Sequence, residues 1–297
     1  MAENVHFTRI ERLLDYIHEN IDLPLSVESL AEKSCWSRWQ LQRTFLKETN
    51  QTVAQYVREI KLSSAAEQLL LSTDRIMDIA LNCGFNSEVS FNRAFKQLFK
   101  CSPNTYRKRG QSIGLKTPLT STMSIHQAYE IKKRLLQIRF EHLDSFHLYG
   151  VSGEIQGLFS AQPNYNKVIP SIWQQMVKLT GITPPFKEPV MGVIDTRQND
   201  VSLPTPYWAG YKIKEADMAG LPANNLLTVP EQVYAVIPHT GLVAYLDRTI
   251  QWFLTSWLPQ SHYEASHGFD LEIYQAGFDI HSQDSTMECW IPIKLKK

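Results

Sequence analysis

Ser37-Arg38-Trp39-Gln40-Leu41-Gln42-Arg43-Thr44-Phe45 divides by role as soon as it is placed on a helix. Leu41 and Phe45, four residues apart, share one face, while Trp39, Gln42 and Arg43 share the opposite one. Ser37 has the character of an N-cap, and Gln40 three positions on completes a capping box that starts the helix there. Arg suits guanine bidentately, Gln suits adenine, and an apolar ring packs on a thymine methyl. Trp39, Gln42 and Arg43, with Arg38 beside them, therefore form a candidate DNA-reading face. In isolation the same nine residues better suit an ordinary amphipathic helix with Trp39 in a core and Arg43 in solvent. The flanking chain decides between the two.

Upstream, Phe7, Ile10, Leu13, Leu14 and Ile17 follow helical spacing and predict a helix over 7–20. Leu23-Pro24-Leu25-Ser26 breaks it, and Ser26 can cap a short helix carrying Val27, Leu30 and Ala31. A tight turn through Ser34-Cys35-Trp36 leads into the Ser37 helix. Short helix, turn and second helix make a helix-turn-helix pattern. A longer helix is expected over 53–71, ended by Ser72-Thr73-Asp74, with Asp74 as the cap of the next helix. The pattern then returns. Ile79-Ala80 echoes Leu30-Ala31 forty-nine positions on, and Ser87, Phe91, Arg93, Phe95 and Tyr106 echo Ser37, Leu41, Arg43, Phe45 and Tyr56 fifty positions on. Gly84 stands where a helix end favours a left-handed residue, and Ser102-Pro103 is an N-cap followed by Pro in the first turn. A duplicated helix-turn-helix joined by one long helix is the expected all-α domain, and the repeat favours DNA binding.

The run from Lys61-Leu62 through Ile79-Ala80, Gly84-Phe85, Phe91, Phe95 and Ser102-Pro103 resembles the signature of the AraC/XylS transcription regulators over about residues 5–110. Trp36-Ser37-Arg38-Trp39-Gln40-Leu41-Gln42-Arg43 is similar to the group containing the multiple-antibiotic-resistance and right-origin-binding activators. In that group the positions matching Trp39, Gln42 and Arg43 contact bases. The second helix departs from its relatives: Glu88 and Val89 stand where a pair of Gln residues is usual, and Glu88 would face phosphate. Specificity is therefore expected mainly from the first helix, with Ser90, Asn92, Arg93 and Lys96 positioning the second on phosphates. The resemblance also implies RNA polymerase as a partner.

Gln111 to Pro118 lacks periodicity, which sets the expected domains at 1–110, a linker at 111–122, and 123–297. Residues 129–140 suit a helix by composition and a strand by alternation, and stay open. Beyond them, strands are expected at 146–153, 190–195, 207–213, 232–238, 269–274 and 287–293, with helices at 170–179 (Pro170 in the first turn) and 242–258. Strand, helix, strand, strand, given twice, predicts an α+β domain with pseudo-twofold symmetry. A groove between the halves is an inference from the duplication.

This order, ending in Glu288-Cys289-Trp290-Ile291-Pro292-Ile293, resembles the GyrI-like effector-binding domain. The resemblance implies a hydrophobic or cationic aromatic ligand held over a buried carboxylate. Alternation puts Glu288 with Trp290 on one strand face and Glu272 with Tyr274 on another. A carboxylate beside an aromatic ring attracts a cation by Coulomb and cation–π terms. These four residues are candidate ligand contacts. Tyr207, Trp208 and Tyr211 suit the same groove, and ordinary core packing explains them equally.

The totals fit this reading. At 297 residues the chain has room for two cores, and its formal net charge is zero. Residues 1–110 hold fifteen Lys and Arg against thirteen Asp and Glu, a slight basic excess. Cys35, Cys83, Cys101 and Cys289 form no Cys-x-x-Cys pair, so reduced thiols are expected. No metal site or cofactor is expected, and His262 and His267, five apart, are a poor ligand pair. The absence of a signal-like stretch or a long apolar run gives a cytoplasmic expectation. An enzyme is the rival class, yet neither Gly-x-Ser-x-Gly nor His-Glu-x-x-His occurs. The expected protein is a transcription activator that binds double-stranded DNA as a monomer through two successive major grooves roughly 34 Å apart. Its second domain would answer to a small hydrophobic or cationic effector. A hydrolase tethered to DNA and an architectural DNA-binding protein are the alternatives.

Overall fold

The computed structural model describes residues 2–121, 135–198 and 203–296. These fall into two compact units, one of residues 2–121 and 135–141 and one beginning at His142.

Among the described residues the first unit contains seven helices: α1 (Ala2–Glu19), α2 (Val27–Lys33), α3 (Arg38–Thr49), α4 (Val53–Leu71), α5 (Ile76–Asn82), α6 (Glu88–Phe99) and α7 (Pro103–Arg109). Local chemistry explains most boundaries. Ser26, Ser37, Thr52, Ser87 and Ser102 each accept the backbone N–H three residues on, which satisfies a donor that the helix start would leave unpaired. Gly84 takes a left-handed φ of +74° after α5, and an added Cβ would meet Lys61 Nζ at 2.4 Å. The expected cap at Asp74 is one residue early. Arg75 occupies the N-cap position without a side-chain bond. Asp74 is held by its backbone instead, its N–H donating to Ser72 Oγ at 3.3 Å and its carbonyl accepting from Arg107 Nη2 at 2.6 Å.

The apolar face of α1 packs with Leu30, Leu41, Phe45, Tyr56 and Ile60 into one core. Residues 112–121, expected to act as a linker, lie along α4. Ser112, Leu115 and Leu119 are buried. Lys116 donates its backbone N–H to Ser63 Oγ at 3.1 Å and its ammonium pairs with Glu59 at 2.6 Å. Leu119 N–H donates to the buried Tyr56 hydroxyl at 3.0 Å. The segment ends in β1 (Thr120–Ser121), which pairs antiparallel with β2 (Leu135–Leu136). Strand β3 (Arg139–Leu143) follows, with Phe140 bonded to Leu115 and Gly114 through the backbone. Of the stretch 129–140 left open between helix and strand, 135–136 and 139–140 are extended, and 129–134 lie outside the described residues.

The second unit is a curved antiparallel sheet with helices. Its elements are β4 (Phe146–Ile155), α8 (Tyr165–Thr180), β5 (Val190–Asp195), β6 (Thr205–Ile213), β7 (Leu226–Val229), β8 (Gln232–Thr240), α9 (Leu246–Trp252), α10 (Leu258–Gln260), β9 (Tyr263–Ala265), β10 (Phe269–Tyr274) and β11 (Thr286–Leu295). Within this unit the strand order is β8-β11-β10-β5-β6-β4-β7, with β9 on the end of β11. The order β4-β6-β5 on one side answers β8-β11-β10 on the other, and β5 meets β10 at the centre with Gly192 opposite Glu272. The two strand-helix-strand-strand units are thus related by a pseudo-twofold between β5 and β10. Adding eighty to the numbers of α8 gives 245–260, almost the stretch from α9 to α10.

Both helices differ in detail from expectation. Helix α8 starts at Tyr165, so Pro170 sits inside it, on the exposed side, where its missing N–H costs one ladder bond. The second helix changes pitch, with a π turn at Phe253–Trp257 between α9 and α10, a feature often found at functional sites. The sheet has two unlike faces. Leu148, Met191, Val193, Val236, Leu271 and Ile273 make a core on one. On the other, Ile172 and Met176 of α8 pack on Ile155, Tyr207 and Ala209.

Candidate nucleic-acid interface and effector site

Helix α3 opens with the reciprocal capping box: Gln40 N–H donates to Ser37 Oγ at 3.2 Å and Ser37 N–H to Gln40 Oε1 at 3.0 Å. This fixes the rotation of the helix and sends Leu41 and Phe45 fully into the core. Trp39 is left 64% exposed, and Gln42 and Arg43 are exposed as well. The Arg43 guanidinium lies 5.1 Å from the Trp39 ring centroid, a cation–π contact that orients the fork without consuming its donors. Arg38 pairs with Glu28 of α2 at 3.0 Å; both ends are solvated, so the pair contributes little stability.

Helix α6 has the same design. Phe91 and Phe95 are buried, and Arg93 and Lys96 are exposed. Ser90 is partly engaged, its hydroxyl donating to Ser87 O at 2.8 Å, and Asn92 Nδ2 lies 3.5 Å from Glu88 Oε1. Val89 is 79% exposed. Val89 was not among the expected contacts, and the fifty-residue period aligns it with Trp39.

In the second unit the candidate ligand residues separate by face. Leu271 pairs with Trp290 and Val193 with Trp208, which puts both tryptophans with the Leu271 core. Glu288 lies on that side and accepts from Trp290 Nε1 at 3.0 Å. Glu272, Tyr274 and Tyr207 lie on the face that α8 covers. Glu272 Oε2 accepts from Tyr207 Oη at 2.7 Å and from Tyr274 Oη at 2.8 Å. Trp173 Nε1 of α8 donates to Tyr207 Oη at 3.0 Å, and the Trp173 ring packs edge-on to Tyr274 at 5.2 Å. Phe186 and Phe278 pack against Trp173 and Tyr274. The structure therefore brings Glu272, Tyr274 and Tyr207 together and does not join Glu288, Trp290 and Trp208 to them. Tyr211 packs on Tyr149 at 5.9 Å.

Gly192 makes the cluster possible. A Cβ there would sit 2.2 Å from Tyr207 Oη and 2.7 Å from Glu272 Oε2. Burial raises Glu272 above the ordinary carboxyl range, while the Tyr207 and Tyr274 hydroxyls pull it back. Both phenols are in turn raised well above their usual value by burial and by the acid. Asp270, two residues along the same strand face, is pushed up to about 7 by burial, and its bond from Thr196 Oγ1 is long at 3.5 Å. Glu272 and Asp270 are half-buried and retain some accessible surface. Trp173, Gly192 and Asp270 escaped the sequence argument, because nothing local says which helix covers which strand face.

Other polar clusters have simpler accounts. His142 faces Asp144 at 3.5 Å through Nδ1 and Glu231 at 3.8 Å through Nε2; both carboxylates are exposed, and such surface acids are common without an ion. His239 is buried between Thr249 and the Leu242 carbonyl, and burial lowers its pKa. No helix among the described residues is long and apolar enough to cross a membrane.

Comparison with known proteins agrees with this division of labour. A helix-turn-helix domain family model matches residues 30–109, and the model of the integron-associated effector binding protein family matches 139–293. The multiple antibiotic resistance protein MarA of Escherichia coli is 38% identical over 104 residues, 35% of this chain and 82% of that protein. The regulatory protein SoxS of Escherichia coli is 39% identical over 104 residues, 35% of this chain and 97% of that one. A solved structure, SAV2435 bound to tetraphenylphosphonium, covers 53% of this chain and 93% of its own at 18% identity and a TM-score of 0.41. With a MarA- and SoxS-like DNA-binding unit followed by an effector-binding unit, the chain belongs to the AraC family of helix-turn-helix transcription activators and carries a C-terminal effector-binding domain.

Proposed function

We propose that this activator reads its promoter sites through the exposed faces of α3 and α6, and that a cationic aromatic molecule lodged against Glu272 controls it. The observation that carries the first half is the sorting of α3: Leu41 and Phe45 are sealed in the core, and Trp39 and Arg43 are stacked together in solvent. That sorting supports Trp39, Gln42 and Arg43 as base contacts, with Arg38 placed to meet phosphate if it leaves Glu28. In α6 the same reading gives Arg93 a base or phosphate, and gives Lys96, Ser90 and Asn92 backbone positioning.

The second half rests on Glu272 with its two tyrosine donors and the Trp173 ring. A carboxylate held away from bulk water gains when a cation arrives, because the Coulomb attraction is weakly screened there, and aromatic faces add to it. Glu288, hydrogen-bonded to Trp290 on the opposite sheet face, is the second choice for this role. Transcription activation further requires contact with RNA polymerase, which is expected from the family. The buried Cys289 is raised well above its usual pKa by burial and by Glu272, which disfavours it as a nucleophile.

Replacing Arg43 by Ala should cost about 1–3 kcal/mol of specific DNA binding and relax preference at one base pair. Binding titrations on specific and scrambled duplexes measure this. Unchanged specific binding with weakened nonspecific binding would overturn the base-reading role.

A further inference from the structure

The two most exposed large apolar side chains among the described residues are Val89 and Trp39, at 79% and 64%. They stand fifty positions apart, the period of the duplicated unit. The two copies agree at each anchoring point. Ser37 and Ser87 both accept the backbone N–H three residues on, and α3 and α6 both run twelve residues. Leu41 and Phe91, and Phe45 and Phe95, are all fully buried. The helices end on Asn50 and Lys100, each left-handed with φ of 59°. Val89 therefore holds in α6 the place that Trp39 holds in α3.

Folding does not account for a valine there. A β-branched residue lowers helix propensity, and four-fifths exposure leaves it little packing to offset the cost. One exposed apolar residue is ordinary. Two, at equivalent first-turn positions of duplicated recognition helices, stand where such helices meet base edges. Beside it Ser90 donates to the Ser87 carbonyl and Asn92 lies 3.5 Å from Glu88, contacts that suit both to backbone positioning rather than base reading. A side chain without donors or acceptors finds one complementary feature in the major groove, the C5-methyl group of thymine.

We propose that Val89 is a specificity-determining residue that reads the C5-methyl of a thymine, so that the second helix contributes base choice as well as phosphate positioning. This rests on the reading that α6 enters the groove as α3 does. The same methyl on 5-methylcytosine would satisfy Val89 equally.

The test uses the full chain and a duplex selected from a random pool. Each thymine in the selected site is replaced in turn by deoxyuridine, which removes the methyl and keeps the hydrogen-bonding edge. One position should weaken wild-type binding about fourfold, the effect of exposing one methyl-sized contact. Val89→Ala should bind the parent duplex more weakly and be indifferent to that replacement, while Val89→Ile keeps the sensitivity. Identical responses of wild type and Val89→Ala at every thymine would overturn the proposal, as would a selected site with no methyl-sensitive position near its α6 half. Arg93→Ala separates the two failures. If it weakens binding while Val89→Ala responds as wild type, the Val89 assignment alone falls. If neither variant alters binding, α6 does not read the groove and both fall together.

Discussion

Replacing Glu272 by Gln keeps the shape of the side chain and an oxygen to accept the Tyr207 and Tyr274 hydroxyls, and removes the charge. A lipophilic cation whose charge centre is held about 6 Å from the carboxylate by its own rings would gain about 3 kcal/mol at an effective dielectric near 20. Desolvation of the acid offsets part of this, leaving about 1.5–3 kcal/mol, or roughly tenfold to a hundredfold in affinity. Tetraphenylphosphonium and tetraphenylborate are nearly alike in shape and opposite in charge, so calorimetric titration of both separates charge from fit. Glu272→Gln should weaken the phosphonium by that factor and leave the borate unchanged or improved. Acidification should mimic the substitution in the wild type, because Glu272 takes up a proton above the usual carboxyl range and the protonated acid attracts no cation. The variant should lose the part of this dependence that Glu272 carries and keep only what Asp270, titrating near 7 on the same strand face, contributes. Equal losses for both ions, or full phosphonium affinity in the variant, would refute the charge argument. A loss reproduced by Glu288→Gln and absent from Glu272→Gln would move the site to the other sheet face.

Gly192→Ala would force a Cβ to within 2.2 Å of Tyr207 Oη and 2.7 Å of Glu272 Oε2; it should cost about 1–3 kcal/mol in denaturant unfolding and abolish cation binding, and wild-type stability would count against the crowded cluster. Asp270 ionises near 4 in an unfolded chain but holds its proton to about 7 when folded. The folded state thus binds the extra proton between these values, and stability falls as pH rises through that window. Asp270→Asn should match the wild type at pH 4 and exceed it at pH 8 by on the order of 2–4 kcal/mol. Thermal melts with the same difference at both pH values would contradict this.

Much of the first unit was legible because its signals are local. A capping serine, an apolar residue every three or four positions and a left-handed glycine act within one turn of helix. Leu41, Phe45, Phe91 and Phe95 could therefore be assigned inward without coordinates. The Asp74 cap was misplaced because Arg107, thirty-three residues away in sequence, holds that backbone. The linker reading of 111–122 went by the absence of periodicity. That criterion cannot register a segment anchored at a few points, Lys116 and Leu119 among them, against Tyr56, Glu59 and Ser63 of a helix already formed.

The ligand residues show where local reasoning ends. Glu272-Ile273-Tyr274 and Glu288-Cys289-Trp290 carry the same pattern, an acid and an aromatic two residues apart, and strand periodicity treats them alike. The pattern alone determined that each acid shares a face with its ring, that two such strands exist, and that a doubled helix-turn-helix precedes them. The tertiary structure decided the rest. Pairing of Leu271 with Trp290 and of Glu272 with Cys289 turns the two acids to opposite faces, and α8 lays Trp173 over only one of them. Register and layer packing depend on contacts between residues distant in the chain, and neither leaves a periodic mark on the strand it orients.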